Sequence, residues 1–220
     1  MGLLDSHDSL EVGLELFAGR LLGTEPVECE GKKLHQRAKA FLDGCQLEAA
    51  GFPGKIWGNK ITTEQIAELS DGRENPAAQW EALDMFFNHY LLGVKVVYIL
   101  RDGRTCVRSK VQRTGQSLKE ACMRWNYSVE VYKFLKQHHR NHVMIRYEDL
   151  LKEPEDTLRS ICSFLGVDFQ PAMLQGTASQ KIPSEYRRRG LDLRKMEFED
   201  VPSECIERIR GGLSYCGYLD

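Results

Sequence analysis

A chain of 220 residues with 42% hydrophobic content is long enough to bury one sizeable core. Its formal charge of −2 argues against a broad nucleic-acid-binding face while leaving room for a local basic pocket, and no apolar run approaches the roughly 18 residues that span a bilayer. The seven cysteines, at 29, 45, 106, 122, 162, 205 and 216, include no C-x-x-C pair; this reads as reduced thiols, not a disulfide framework or metal site, and favours a reducing, cytoplasmic setting.

Met1 to His7 is helix-like, with Leu3 and Leu4 apolar, and Glu11 to Leu22 continues as a helical pattern through Val12, Leu16, Phe17 and Leu21. Gly31 to Ala50 is a stronger helix, with Leu34, Ala38, Phe41 and Cys45 on one face and Gly51, then Pro53-Gly54, to stop it. Lys55 to Lys60 is a short strand leading into Thr62-Thr63-Glu64, a polar helix start. Asn75-Pro76 opens a helix to Leu92 as N-cap and first position, and Trp80, Leu83, Phe87 and Leu91 form its buried stripe.

Val94 to Leu100, rich in β-branched residues and broken only by Lys95, reads as a strand covered on both faces. It runs into Arg101-Asp102-Gly103-Arg104, where Asp102 can cap a following helix that carries Ser109 and Lys110. Such junctions at strand carboxyl ends gather chemistry in open α/β sheets. On the residues alone, Arg101 and Ser109 are either an anion site or a surface arginine and a solvated serine. Ser117-Leu118-Lys119-Glu120 is a capping box for a long helix with Leu118, Cys122, Trp125, Val129, Tyr132 and Leu135 inward. Val143 to Tyr147 is a third strand. Pro154-Glu155-Asp156 starts a helix with Leu158, Ile161, Cys162 and Leu165 as its apolar positions, closed by Gly166. Gln175 to Val201 is irregular and holds Arg187-Arg188-Arg189-Gly190; a last helix runs from Pro202 to Tyr215. His138, His139 and His142 cluster near a helix end, where positive charge suits the dipole, and no ligand spacing points to a metal.

Three strands alternating with long helices make an α/β fold, a single domain over 1–220: three layers, with a parallel sheet and helices on both faces. Right-handed crossovers would bring the strand ends near Lys60, Arg101 and Tyr147 along one edge.

The segments V-Y-I-L-R-D-G-R-T-C-V-R-S, R-W-N and I-R-Y-E-D-L-L-K-E-P-E-D-T-L-R-S-I-C-S-F-L-G-V-D-F resemble the sulfotransferases that use 3'-phosphoadenosine 5'-phosphosulfate (PAPS), with tyrosylprotein sulfotransferases and their bacterial kin nearest in pattern. The resemblance covers most of the chain and is strongest from Val94 to Phe169. It implies a P-loop NTPase-like sulfotransferase fold and transfer of a sulfuryl group from PAPS to a hydroxyl or amine acceptor, without a metal. The acceptor stays open among a protein tyrosine, a sugar and a small molecule. Arg101 and Ser109 would hold the 3'-phosphate, Tyr147 would lie near the nucleotide, and Arg188 would close over its phosphates. Lys60, in G-N-K, would sit beside the transferring group, and Glu15, in Gly13-Leu14-Glu15, would be the general base. Trp125, although aromatic and near the nucleotide in the family, belongs on its helix's buried stripe.

The family's R-S-G-T-[TS] loop for the 5'-phosphosulfate, and the strand before it, do not occur in this sequence, so the expected fold lacks its first strand and phosphate loop. Two further expectations compete with an active enzyme: an inactive, truncated relative retaining weak 3'-phosphate binding, and a nucleotide kinase, disfavoured for want of a loop lysine and a magnesium-binding aspartate.

Overall fold

The computed structural model describes residues 1–23, 34–70, 75–178, 182, 184, 187, 190–197 and 201–219. Its chain divides into two compact units, Met1–Lys95 with Leu158–Leu191, and Val96–Thr157 with Asp192–Asp220.

In the first unit, α1 (Gly2–Asp5) precedes a strand, β1 (Leu10–Leu14). The helix expected from Glu11 to Leu22 is therefore not formed. L-E-V-G-L pairs in parallel with β2 (Ile56–Lys60), in register from Leu10 opposite Ile56 to Leu14 opposite Lys60. A glycine inside a five-residue segment lowers its helix propensity, and the ladder to β2 settles the competition in favour of strand. After a turn the chain makes a single wide helical turn at Gly19–Gly23. The carbonyls of Leu21 and Leu22 both accept from the Arg37 guanidinium, a side chain only 4% exposed on α2 (Leu34–Ala49). A buried arginine thus satisfies backbone oxygens that the short turn leaves without partners.

Next come α3 (Thr63–Ala67) and α4 (Pro76–Asp84), the latter capped by the Asn75 side chain, which accepts from Ala77 N–H at 3.0 Å as its sequence predicts. Where a regular helix is expected to Leu92, the structure passes into a π-type turn at Met85–Tyr90. The wider turn rotates the buried face: Leu83, Phe86 and Phe87 are all buried, and Phe86 lies 6.0 Å from Phe41 and 5.3 Å from Phe87. Trp80, assigned to the same stripe, is only half-buried. From Leu158 onward, α8 (Pro154–Leu165) and the 3₁₀ segment Pro171–Ala178 complete this unit. His7 is fixed between them and the N-terminus: its Nδ1 accepts from Ser9 N–H at 3.0 Å, so its Nε2 donates to the Asp168 carbonyl at 2.7 Å.

In the second unit, β3 (Val96–Leu100) pairs in parallel with β4 (His142–Arg146), Leu100 opposite Arg146. Between them lie α5 (Gly103–Thr114) and α6 (Leu118–His138), the latter opened by the Ser117–Glu120 capping box. Tyr147, expected at the end of a strand, instead begins α7 (Tyr147–Lys152), and α9 (Ser203–Tyr215) closes the unit. Trp125 of α6 is 1% exposed and is a core residue. A Cβ on Gly103 would lie 2.7 Å from its ring and 2.9 Å from Ile209 of α9, so glycine is what lets α5 meet α6 and α9 this closely.

The architecture is α/β with parallel strands. Four described strands form two parallel pairs, β1–β2 and β3–β4, where three strands in one sheet were expected from the sequence. The region from Gln175 to Val201, expected to be irregular, contains the end of the 3₁₀ segment already named and a second one, Leu193–Met196. No helix among the described residues is long and apolar enough to cross a membrane.

Candidate active site

The sequence-assigned residues fall into two groups, one in each unit. In the first, parallel pairing brings the ends of β1 and β2 to the same level, so Glu15 and Lys60 emerge side by side. Glu15 N–H donates to the Lys60 carbonyl at 2.8 Å, which extends the ladder by one bond. The chain then turns sharply. Glu15 and Phe17 have φ of 54° and 62°, a left-handed conformation that costs a non-glycine residue on the order of 1 kcal/mol or more. The Asn59 amide holds this turn from both sides: its Oδ1 accepts from Leu16 N–H at 3.1 Å and its Nδ2 donates to the Leu16 carbonyl at 2.8 Å.

The turn aims the Glu15 carboxylate at two donors. Lys60 Nζ forms an ion pair with Oε1, and Gln65 Nε2 donates to Oε2 at 3.0 Å. The side chains of Lys60 and Glu15 are 39% and 37% exposed, so both charged groups are accessible from solvent. An ion pair this exposed adds little stability. Its positive partner is free to turn toward another anion.

In the second unit, Arg101 and Tyr147 follow paired strand ends in the same way, and the structure brings them together: the guanidinium lies over the Tyr147 ring, 5.0 Å from its centre. Arg101 Nε donates to Thr105 Oγ1 at 2.9 Å and its Nη2 to the Lys195 carbonyl at 2.7 Å. Its own carbonyl accepts from Trp125 Nε1 at 2.9 Å, which ties the junction to the core. Burial pushes the Tyr147 phenol above its ordinary range, and the Arg101 charge opposes that shift.

Arg101 and Arg104 differ in what surrounds them. Arg104 makes a two-pronged bond to Asp102, with Nε 3.0 Å from Oδ1 and Nη2 2.6 Å from Oδ2. Asp102 is itself the cap of α5, its Oδ1 accepting from Arg104 N–H at 2.9 Å. Glu148 completes that cluster by accepting from Asp102 N–H and the Tyr218 hydroxyl, each at 2.9 Å. Arg101 meets a hydroxyl, a carbonyl and a ring, and no carboxylate among the described residues. Its charge is available. Ser109 stands one helical turn beyond Thr105 on α5, half-buried, and its hydroxyl makes no hydrogen bond among the described residues.

Arg188 lies outside the described residues. The sequence reading missed Gln65 and Asn59. A signal for the first was present, since Thr62 and Gln65 have the spacing of a capping box, whereas nothing local in G-N-K marks Asn59 as a clamp. No cluster of His, Cys, Asp or Glu among the described residues is arranged to hold a metal ion.

Comparison with known proteins gives these features a context. Residues 93–171 match a family model described as Sulfotransferase family. A protein-tyrosine sulfotransferase of Drosophila melanogaster is 32% identical over 152 residues, which is 62% of this chain and 30% of that protein. This chain therefore spans less than a third of the curated relative it matches. The solved sulfotransferase domain from the curacin biosynthetic pathway superposes with a TM-score of 0.64 over 99% of this chain and 92% of its own, at 17% identity. The sulfotransferase domain from the Synechococcus PCC 7002 olefin synthase does so at 0.62 over 100% and 89%, at 14% identity.

Proposed function

For a chain with the sulfotransferase fold and a sequence similar to that family, we propose that it transfers a sulfuryl group from PAPS to a hydroxyl-bearing acceptor. The observation that carries this reading is the Arg101 guanidinium, which lies over the Tyr147 ring just before α5 and meets no carboxylate among the described residues. A phosphate dianion on a ribose suits a guanidinium and a hydroxyl beside a positive helix end: Arg101 supplies the first just before α5, and Ser109, whose hydroxyl makes no hydrogen bond among the described residues, the second. The donor's 3'-phosphate takes the place on Arg101 that no carboxylate among the described residues fills. The Tyr147 ring helps to hold the guanidinium in place.

Transfer itself falls to Glu15 and Lys60. The acceptor oxygen attacks sulfur, the bond from sulfur to the bridging phosphate oxygen breaks in line, and 3'-phosphoadenosine 5'-phosphate leaves. The acceptor's proton passes to the Glu15 carboxylate, which is needed because a phenol ionises only near a pKa of about 10. Lys60 stabilises negative charge as it spreads over the transferring group, the main service a protein provides in such displacements. The likeness to a protein-tyrosine sulfotransferase favours a phenolic acceptor.

Calorimetric titration tests the donor assignment. 3'-phosphoadenosine 5'-phosphate is expected to bind at least tenfold more tightly than adenosine 5'-phosphate. Equal affinities would remove the 3'-phosphate site, and turnover of ³⁵S-labelled donor with tyrosyl and sugar acceptors then decides the reaction.

A further inference from the structure

The run Thr62-Thr63-Glu64-Gln65 serves first as the start of α3, and the glutamine at its fourth position does more than cap. Gln65 is 5% exposed. Its Oε1 accepts from Thr62 N–H at 2.9 Å. Only the oxygen end of the amide can meet a backbone N–H, so this bond fixes which way the amide faces, and the NH₂ end must point the other way. There it donates to Glu15 Oε2 at 3.0 Å.

We propose that Gln65 is a positioning residue for the Glu15 carboxylate, holding it in the transfer geometry when Lys60 turns to the transferring group. The inference rests on Glu15 acting as the base. Glu15 has two donors that occupy different oxygens: Lys60 on Oε1 and Gln65 on Oε2. Lys60 is mobile in kind, a long side chain 39% exposed, and it is needed elsewhere during transfer. Gln65 is buried and locked at its far end, so its grip survives that movement. A neutral donor fits this role because it orients the carboxylate without neutralising the charge that receives the acceptor's proton. Gln65 neither takes nor gives a proton.

Gln65→Glu separates positioning from capping. The variant keeps an oxygen for Thr62 N–H and the same length, but replaces the NH₂ donor with a second oxygen facing Glu15. Its melting temperature is expected to fall, because a second carboxylate is buried against Glu15, while its affinity for 3'-phosphoadenosine 5'-phosphate stays near wild type. Its kcat is expected to fall about 10- to 100-fold with an unchanged donor KM, the usual penalty for a misplaced reacting group. Wild-type kcat in Gln65→Glu would overturn the inference alone; absence of transfer by the wild-type protein would remove the base assignment and the inference with it. A readout independent of turnover is the Gln65 side-chain NH₂ resonance pair in ¹⁵N-labelled protein. The pair is expected to shift in Glu15→Ala, and an unmoved pair would show that the amide does not hold the carboxylate.

Discussion

The Arg101 guanidinium lies over the Tyr147 ring, 5.0 Å from its centre, while its Nε donates to Thr105 at 2.9 Å. With Nη2 donating to the Lys195 carbonyl as well, the contact set suits a cation whose N–H donors are fixed in one plane. An ammonium at this place keeps the charge but lacks the fixed set of N–H donors that reaches both Thr105 and the Lys195 carbonyl. Arg101→Lys is therefore expected to weaken 3'-phosphoadenosine 5'-phosphate by about 30-fold and to leave adenosine 5'-phosphate nearly unaffected. Tyr147→Leu removes the cation–π contact, worth about 0.5–1 kcal/mol at such sites, so a loss of roughly twofold to fivefold is expected. Calorimetry on the two variants checks both. A larger loss for Tyr147→Leu than for Arg101→Lys would mean that the nucleotide is held by the ring and not by the cation.

The chemistry assigned to Glu15 calls for a different readout. Glu15→Gln preserves the shape of the side chain and removes the proton acceptor. Its kcat is expected to fall about 10²- to 10⁴-fold while affinity for 3'-phosphoadenosine 5'-phosphate is unchanged. Rapid-quench measurement of a single turnover isolates the chemical step. Full activity in this variant would reduce Glu15 to a partner of Lys60.

How far the sequence reached depended on whether a residue's partner was near in the chain. Asn75 and Ser117 cap the helices their local patterns announce, and Asp102 caps α5, because a cap bonds to a group two or three residues away. Trp125 could be placed in the core from the spacing of its own helix. β1 could not. L-E-V-G-L becomes a strand because it pairs with Ile56–Lys60, more than forty residues on, and no local periodicity records that partner. The same holds at the site. Arg101 is legible from its place after an apolar run, but that Asp102 pairs with Arg104 while Arg101 meets no carboxylate among the described residues is not written in any local pattern. Glu15 was identified by resemblance and placed on a helix; it stands instead in a left-handed turn that only Asn59 and Lys60, across the strand pair, make tenable.

That turn supplies a stability prediction. The Asn59 amide makes two bonds to the backbone of Leu16, at 3.1 and 2.8 Å. Asn59→Leu retains the volume and leaves a backbone N–H and a carbonyl without these partners. A loss of about 1–3 kcal/mol in urea denaturation is expected, together with lower kcat as Glu15 loses its fixed direction. Asn59→Asp keeps the acceptor alone and should lie between. Unchanged stability in Asn59→Leu would mean that the turn holds itself.

Overpacking tests the junction between α5 and the core. A Cβ at Gly103 would approach the Trp125 ring to 2.7 Å and Ile209 to 2.9 Å, and an indole held on all sides has little room to yield. Gly103→Ala is expected to destabilise the protein by about 1–3 kcal/mol despite the better helix propensity of alanine. Because Trp125 Nε1 donates to the Arg101 carbonyl, displacement of the indole should also weaken 3'-phosphoadenosine 5'-phosphate, and Gly103→Ala with Trp125→Phe should restore part of the stability.

The pH dependence of stability has a source outside the site. His139, 4% exposed at the end of α6, has its pKa lowered by burial and, to a lesser degree, by His142, against a backbone hydrogen bond to Asn141. Above the ordinary histidine pKa of about 6.5 the imidazole is neutral in folded and unfolded chains alike, and its contribution to stability is complete. Below that value the unfolded chain binds a proton that the folded one does not, so stability rises with pH across the window and falls as the solution is acidified. The loss continues until the pH reaches the lowered folded pKa. Urea denaturation is expected to show a falling free energy from pH 7 toward pH 5, and His139→Gln should flatten the slope relative to wild type. The difference between the two curves isolates this imidazole from the other histidines that titrate in the same range. Parallel curves would mean that His139 gains its proton as readily folded as unfolded.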